Sequence, residues 1–398
     1  MALDAFKRLS QVGSGLFNQT QAPIAIDFGV GSMKLLQIVG DQPPTLVGAA
    51  CLDTPLNLRG DHVKRLDFQL EALPKLIRQA GFKSRRVVCS IPASHTVCKH
   101  LQLVRTEGVA ISDQIASAIA AQLECDATAL VFRHIEIESP TAGNKIEAIG
   151  MATPRECIRR LLSGLKDARL EPVGMHSEFT AVIRAFEPVS RRADDHARTT
   201  VYLDIGAGTT KIMIGHGPKL VFARIVEVAA RHLDELVSEQ LHCDLAEARR
   251  VRASLECPCP DPTPVQTPSA EPAQPPATDQ EGAQNAPVAT VEPAVAPPRA
   301  DLTEPLELLI DEVRLSLRYH DSLFPGRKAD RVVFLGGEAR IRSTCHHIAK
   351  TLKLSAQIGD PLARIARTGS ETCVGVDVRE PQPGWTVAVG LALSPTDL

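Results

Sequence analysis

Two segments of the chain repeat one pattern of an acidic residue, two glycines and a hydroxyl. The first segment runs from Asp27 to Ser32 and the second from Asp204 to Thr209, and apolar runs flank both. The pattern predicts two strands joined by a tight turn in each segment. Glycine lets the backbone turn sharply and approach a ligand closely, and successive N–H groups in such a turn form a nest that binds anions.

The repetition indicates two phosphate-binding loops that face one ligand. Either copy alone is equally consistent with an ordinary β-turn, because short glycine motifs recur by chance. The carboxylates at the two strand ends are suited to hold Mg²⁺, if necessary through the waters that this ion keeps. Lys34 and Lys211 face either the phosphates or solvent. The residues expected at the phosphates are Asp27, Gly29, Gly31, Ser32 and Lys34 on one side, and Asp204, Gly206, Gly208, Thr209 and Thr210 on the other, with Asp27 and Asp204 as the metal ligands.

A third glycine segment lies near the C-terminal end. Residues 331–335 are apolar and predict a strand, and Gly336 and Gly337 follow at once, before a predicted helix. Glycines at such a turn let a flat base or a ribose lie against the backbone. The segment is therefore a candidate for the nucleoside side of a nucleotide site.

The composition is that of an ordinary soluble globular protein. The chain has 398 residues, of which 44% are apolar and 23% are charged, so we expect at least two domains. A net charge of −3 and only 4% aromatic residues argue against a nucleic-acid partner.

Targeting and redox features favour the cytoplasm. No apolar run is long enough for a transmembrane helix, and the first 20 residues lack the apolar core of a signal peptide. The ten cysteines include no C-x-x-C pair, so we expect reduced thiols and no cysteine-ligated metal.

The order of two phosphate loops followed by the segment Leu335–Arg340 resembles the actin-like ATPase superfamily. Within it, the chain most resembles the PilM family of type IV pilus assembly, which is related to FtsA. The resemblance implies an α/β, actin-like ATPase fold with two lobes, each a β-sheet flanked by helices. It also implies a small inserted α+β subdomain.

The domain organisation predicted on this basis has five parts. Strand and helix patterns suggest a β-β-α-β-β-α unit for the insertion, and residues 226–254 read as one helix. A segment rich in Pro and Ala is predicted to be disordered, as a passive spacer or a Pro-rich docking segment. The parts are an N-terminal tail (1–21), the first lobe (22–83 and 170–197), the inserted subdomain (84–169), the second lobe (198–256 and 301–398) and the disordered Pro/Ala-rich insert (257–300).

The resemblance also implies ATP with Mg²⁺ between the lobes, and Gly336 and Gly337 against the adenosine. Glu247 with Arg250 stands where many relatives carry an Ala-Glu-x-x-Lys pattern that contacts the ribose or adenine. The alternative for this pair is a solvated helix face. Glu178 is a candidate for orienting a hydrolytic water, no other catalytic residue is assigned, and any ATPase activity is expected to be slow.

Two departures from the family pattern bear on nucleotide binding. Ala229-Ala230 stands where relatives carry Gly-Gly, and a Cβ there crowds the approach of ribose and phosphate. Glu338 stands where relatives carry a small residue. These departures support the alternative of a nucleotide-free, degenerate actin-like interaction protein.

The function predicted is a cytoplasmic, ATP-binding scaffold of a type IV pilus or type II secretion inner-membrane complex. The resemblance implies that it binds the cytoplasmic N-terminal tail of a PilN-like single-pass membrane protein and other platform proteins, so that its membrane contact is indirect. An FtsA-like division protein is a further alternative, which the acidic, Pro-containing stretch 391–398 disfavours. A sugar kinase would need a sugar-binding segment, and none is evident between the loops.

Overall fold

The computed structural model describes residues 22–40, 43–140, 145–189, 197–255 and 300–396. The predicted N-terminal tail, 1–21, lies outside the described residues. So does the predicted Pro/Ala-rich insert, 257–300, except for Ala300, which is buried.

The described strands form three sheets. In chain order they are β1 (Ile24–Phe28), β2 (Ser32–Val39), β3 (Thr45–Asp53), β4 (Arg86–Ile91), β5 (Val97–Val104), β6 (Leu130–Ile137), β7 (Lys145–Pro154), β8 (Glu171–Ser177), β9 (Thr199–Ile205), β10 (Thr210–His216), β11 (Lys219–Val226), β12 (Arg331–Leu335), β13 (Ser355–Ile358) and β14 (Thr372–Val374).

The α-helices of the described residues connect and cover these sheets. They are α1 (His62–Gln79), α2 (Ile111–Gln122), α3 (Arg155–Asp167), α4 (Glu178–Phe186), α5 (Ala230–Leu241), α6 (Leu245–Ser254), α7 (Thr303–Leu323), α8 (Arg342–Leu352) and α9 (Thr386–Ala392). None of the described helices combines the length and the apolar character that a membrane span requires.

The two larger sheets share one plan, as the internal repeat suggests. In the six-stranded sheet, of order β14-β3-β2-β1-β4-β8, the first three strands of the chain form an antiparallel meander and β4 joins β1 in parallel. In the five-stranded sheet, of order β11-β10-β9-β12-β13, β9 to β11 form the meander and β12 joins β9 in parallel. All residues of β1 and β9 are buried, as expected of central strands covered on both faces.

The third sheet, of order β5-β7-β6, forms the inserted subdomain. Helix α2 covers one face and buries Ile115 and Ile119 in a small separate core. Strand β5 rests against β11 of the second lobe, where the ring of His100 stacks on Phe222 at a centroid distance of 4.6 Å.

The predicted subdomain boundaries, 84–169, are too wide. Strand β4 is paired between β1 and β8 in the six-stranded sheet, and α3 buries Leu161 and Leu165 in the core of the first lobe. The inserted unit therefore runs from Val97 to Pro154. The sequence misled because an apolar run such as that of β4 fits either sheet, and its partner strands lie far away in the chain.

The C-terminal part of the predicted second lobe crosses to the first. Strand β14 pairs with β3, and α9 packs on α4, β1, β2 and β4. Helix α4 also contacts β10 and β11, so α4 and α9 lie together between the two larger sheets. Gly390 makes this close crossing possible, because a Cβ there would lie 1.7 Å from the carbonyl oxygen of Ala181.

The segment 226–254 contains two helices where one was predicted. Helix α5 ends at Leu241, and the next residue, His242, has a left-handed φ of 52°. Asp244 caps the start of α6 by accepting a hydrogen bond from the Glu247 N–H at 2.8 Å. Both signals are typical helix boundaries.

Candidate functional site

The two glycine loops are the turns of two equivalent hairpins. One joins β1 to β2 and the other joins β9 to β10. The register pairs Asp27 with Lys34 and Asp204 with Lys211 directly across the strands. The seven-residue spacing of Asp and Lys in both copies therefore places one acid and one base side by side at each loop.

Both loops are fixed by donors from the rest of the protein. Four loop carbonyls accept hydrogen bonds from outside their own turn. These are Gln69 Nε2 to Gly29 O (2.8 Å), Thr54 N to Gly31 O (3.0 Å), Ala230 N to Gly206 O (3.1 Å) and Arg231 N to Ala207 O (3.0 Å). Since these acceptors are already occupied, the loops have the polarity of an anion-binding nest.

The tips of the two loops touch each other. A Cβ added at Gly31 would lie 3.0 Å from the Ala207 Cβ, and one at Gly208 would lie 2.9 Å from the side chain of Val30. A side chain at Gly208 would require Val30 to shift, and one at Gly31 would crowd Ala207, so the two glycines permit this close approach of the loops.

Between the lobes lies a cleft of about 710 Å³. This volume is within the usual range for sites that bind cofactors and other small molecules. Nearly all of the sequence-predicted residues line it, from both loops and from the β12 turn. They are Asp27, Gly29, Gly31, Ser32, Lys34, Glu178, Asp204, Gly206, Gly208, Thr209, Gly336 and Gly337.

Lys211 occupies the centre of the second-loop side. Its Nζ lies 2.9 Å from Asp204 Oδ2 and is also bonded to Glu178 Oε2, and all three side chains are at most 8% exposed. Burial works to lower the pKa of Lys211, but the two carboxylates outweigh it and raise that pKa above its ordinary value. Lys211 is therefore a permanent cation. It lies in the cleft, whereas the sequence left open whether it faces the phosphates or solvent.

Asp27 is the titratable group of the first-loop side. Burial raises its pKa to about 6, against the opposing effect of Lys34, whose Nζ is 3.6 Å away. The charges of Glu178 and Asp204 add to the rise. Asp27 thus changes charge in the cleft just below neutral pH.

The β12 turn has one structural and one open glycine. Gly336 has a φ of 84°, and a Cβ there would lie 2.2 Å from the Ile205 carbonyl oxygen, so this residue locks the turn against the second loop. A Cβ at Gly337 would meet nothing within 4 Å. Gly337 is therefore the position at which a base or ribose has room.

The same wall includes residues that the sequence analysis missed. Pro383, Gly384 and Trp385 line the cleft, and the Gly336 N–H donates to the Pro383 carbonyl at 3.1 Å. A Pro-Gly-Trp triplet near the end of the chain was the available signal, but no motif linked it to the loops.

Glu338, one of the departures from the family pattern, is paired with the buried side chain of Arg252. Arg252 is 1% exposed and donates through Nε to Asp234 Oδ1 at 2.7 Å and through its terminal nitrogens to both oxygens of Glu338. Glu338 and Asp234 line the cleft. No sequence pattern distinguishes Arg252, because it lies among several arginines of α6.

Three sequence-predicted residues are not brought to the cleft wall. Thr210 is fully buried and donates its hydroxyl to the Val228 carbonyl at 2.5 Å. Glu247 and Arg250 form an exposed ion pair of 2.7 Å on α6. Their helix presents Arg249 to the cleft instead, so the solvated-face alternative describes Glu247 and Arg250.

The residues present do not fit the expected Mg²⁺ ion. Of the two predicted ligands, Asp27 is paired with Lys34 and accepts from Ser90 at 3.4 Å, and Asp204 is paired with Lys211. Both oxygens of Glu178 are also occupied, by Lys211 and by the Ala93 N–H at 2.7 Å. Within the described parts of the chain, no three His, Cys, Asp or Glu side chains are arranged to hold a metal ion.

The fold of the chain is similar to that of a solved structure, although its sequence matches no known family. No protein-family model and no curated protein matches the chain. A solved structure described as the "PilM-PilN type IV pilus biogenesis complex" matches with a TM-score of 0.69, 18% identity, and coverage of 94% of this chain and 98% of the other.

The chain has a PilM-like, actin-like ATPase fold. The fold class predicted from the sequence is confirmed. Two further structures match with a TM-score of 0.46 each. They are the ethanolamine utilization protein EutJ from Carboxydothermus hydrogenoformans (13% identity, 93% of this chain, 89% of the other) and MreB5 of Spiroplasma citri bound to ADP (11% identity, 94% and 95%).

Proposed function

We propose that this PilM-like chain is a nucleotide-binding scaffold of a type IV pilus or type II secretion assembly complex. The observation that supports nucleotide binding most directly is the convergence of both glycine loops and the open Gly337 turn on one cleft of about 710 Å³. ATP is the proposed ligand, with its phosphates at the loops and its adenosine at the β12 turn.

Fast hydrolysis is not part of the proposal. An ATPase needs a positioned water at the terminal phosphate. Glu178, the candidate for that role, has one carboxylate oxygen bonded to Lys211 and the other to the Ala93 N–H. A carboxylate held in this way acts as a fixed anchor for Lys211, so the nucleotide is expected to be held and turned over slowly at most.

The proposed partner is the cytoplasmic N-terminal tail of a PilN-like single-pass inner-membrane protein. The matched complex contains PilM with PilN. A groove of about 780 Å³ between the third sheet and β11 supports this part, since the half-buried Ile135 and the exposed Pro140 on its wall offer apolar contacts for an extended peptide. Through such a tail the chain would be held at the inner membrane without inserting into it.

Titration with a fluorescent ATP analogue tests the nucleotide site. Asp27→Ala and Asp204→Ala are each expected to weaken binding by about tenfold, because each disturbs one loop. Glu247→Ala is the matched control, since it also removes a carboxylate but lies outside the cleft. Equal affinity in all four proteins would contradict the assigned site.

Peptide binding tests the partner separately. Ile135→Asp is expected to weaken binding of the PilN-like tail, whereas Leu308→Asp, at an apolar residue 55% exposed on α7, is expected to leave it unchanged. Tail binding without any nucleotide binding would select the degenerate interaction protein instead.

A further inference from the structure

Lys211 bridges two carboxylates that come from different elements of the cleft wall. The two oxygens that it contacts belong to Asp204, which the sequence predicted as a metal ligand, and to Glu178, the candidate for orienting water. These oxygens come from different elements, β9 and the start of α4, and the ammonium group bridges them. In nucleotide sites, a divalent ion usually supplies the positive charge that joins carboxylates of two elements beside the phosphate loops.

The hydrogen-bond capacity of Lys211 matches this role. An ammonium group has three N–H donors and no acceptor. Two donors are used by Asp204 and Glu178, and Lys211 has no third partner among the described residues. Because Lys211 lines the cleft, the third donor is available to a phosphate oxygen.

Lys34 provides an internal comparison, because the repeat gives it the equivalent position in the first hairpin. Its Nζ contacts one carboxylate, Asp27, at 3.6 Å, and its side chain is 15% exposed. The side chain of Lys211 is 8% exposed and contacts two carboxylates. Only the second lysine is fixed in a place that bridges two acids.

We propose that Lys211 is a built-in cation that replaces the divalent ion, so that the cleft binds a nucleoside triphosphate free of metal. This inference rests on the proposed nucleotide-binding function and deepens it, since it specifies the form of the ligand. Lys211 acts as a positioning and binding residue, and no bond is made or broken at it.

The first test is nucleotide affinity of the full chain with EDTA and with Mg²⁺. A fluorescent ATP analogue is expected to bind the wild type with affinities within about threefold of each other in the two buffers. Lys211→Met is expected to lose about tenfold or more in EDTA and to regain much of it with Mg²⁺. Lys34→Met, the matched control, is expected to weaken binding by the same factor in both buffers.

The second test uses Mn²⁺ alone, followed by electron paramagnetic resonance. Lys211→Met exposes the carboxylates of Asp204 and Glu178 to the ion, so it is expected to bind Mn²⁺ about tenfold more tightly than the wild type. Adding Asp204→Asn to that variant is expected to remove the gain.

The outcomes separate this inference from the function on which it rests. A wild-type protein that loses about tenfold or more in nucleotide affinity in EDTA would overturn the inference and leave nucleotide binding intact. Failure of Lys211→Met to gain Mn²⁺ affinity would overturn it as well. Absence of wild-type nucleotide binding in both buffers would overturn the proposed function. The wild-type comparison needs no variant, so it stands even if Lys211→Met does not fold.

Discussion

Arg252, Asp234 and Glu338 form a buried ion triad at the wall of the cleft. Removal of Arg252 tests how much this triad stabilises the fold. Arg252→Met keeps the side-chain length but removes the guanidinium group. Asp234 and Glu338, each 7% exposed in its side chain, then lose the guanidinium group that bonds to both, and Asp234 keeps only the smaller charge effect of Arg249. Breaking a buried ion pair on one side typically costs about 3–5 kcal/mol, because the remaining charge stays buried and unpaired.

We therefore expect Arg252→Met to lower the free energy of unfolding by about 3–5 kcal/mol at pH 8. The matched control is Arg250→Met, two residues earlier on the same helix. Its ion pair with Glu247 is 72% and 49% exposed, and such surface pairs contribute about 1 kcal/mol or less. Urea unfolding of the full chain, with the slope m compared between variants, measures both changes.

The loss should also depend on pH. Burial already raises the pKa of Asp234 in the wild type, while Arg252 opposes the rise, so removing Arg252 raises that pKa further. A folded state that binds a proton more readily than the unfolded chain gains stability as the pH falls. The deficit of Arg252→Met should therefore be smaller at pH 5 than at pH 8. A deficit within about 1 kcal/mol of that of Arg250→Met would refute the triad.

Two further predictions concern the contacts between lobes and subdomain. Gly390→Ala should lower the free energy of unfolding, measured in urea, by about 2 kcal/mol, because the new Cβ meets the Ala181 backbone. The control Gly164→Ala should cost less, because its Cβ meets only the movable Leu70 side chain. Equal losses would contradict the tight helix crossing. Burial lowers the pKa of His100 to about 4. The unfolded chain then binds a proton between pH 6.5 and 4 that the folded chain does not, so stability should fall as the pH falls through that window. His100→Phe should reduce this fall by about 3 kcal/mol, and an unchanged pH profile would contradict the assignment.

The sequence was most informative where local spacing controls the structure. The repeated Asp-x-Gly-x-Gly pattern predicted both hairpins and the shared cleft, because tight turns depend on the residues within them. The seven-residue interval from Asp204 to Lys211 also determines that the two side chains lie opposite each other. The spacing does not determine whether Lys211 faces the cleft or solvent. That choice depends on Glu178, which lies on another element and bonds to Lys211.

The sequence was least informative where distant segments decide the outcome. Strand β14 and helix α9 cross to the first lobe because of packing against residues more than 200 positions away, such as Ala181 against Gly390. On α6, several arginines offer the same helical spacing. Arg252 faces inward because its guanidinium group bonds to Asp234 and Glu338, which lie on other elements. No pattern within the helix distinguishes Arg252 from Arg250.

The crystal structure of the protein with a non-hydrolysable ATP analogue would test the central claim most directly. We expect the terminal phosphates about 2.7–3.2 Å from backbone N–H groups of both glycine loops, the Lys211 ammonium on a phosphate oxygen, and the base beside Gly337. A nucleotide that touches one loop only, or that binds away from this cleft, would contradict the account.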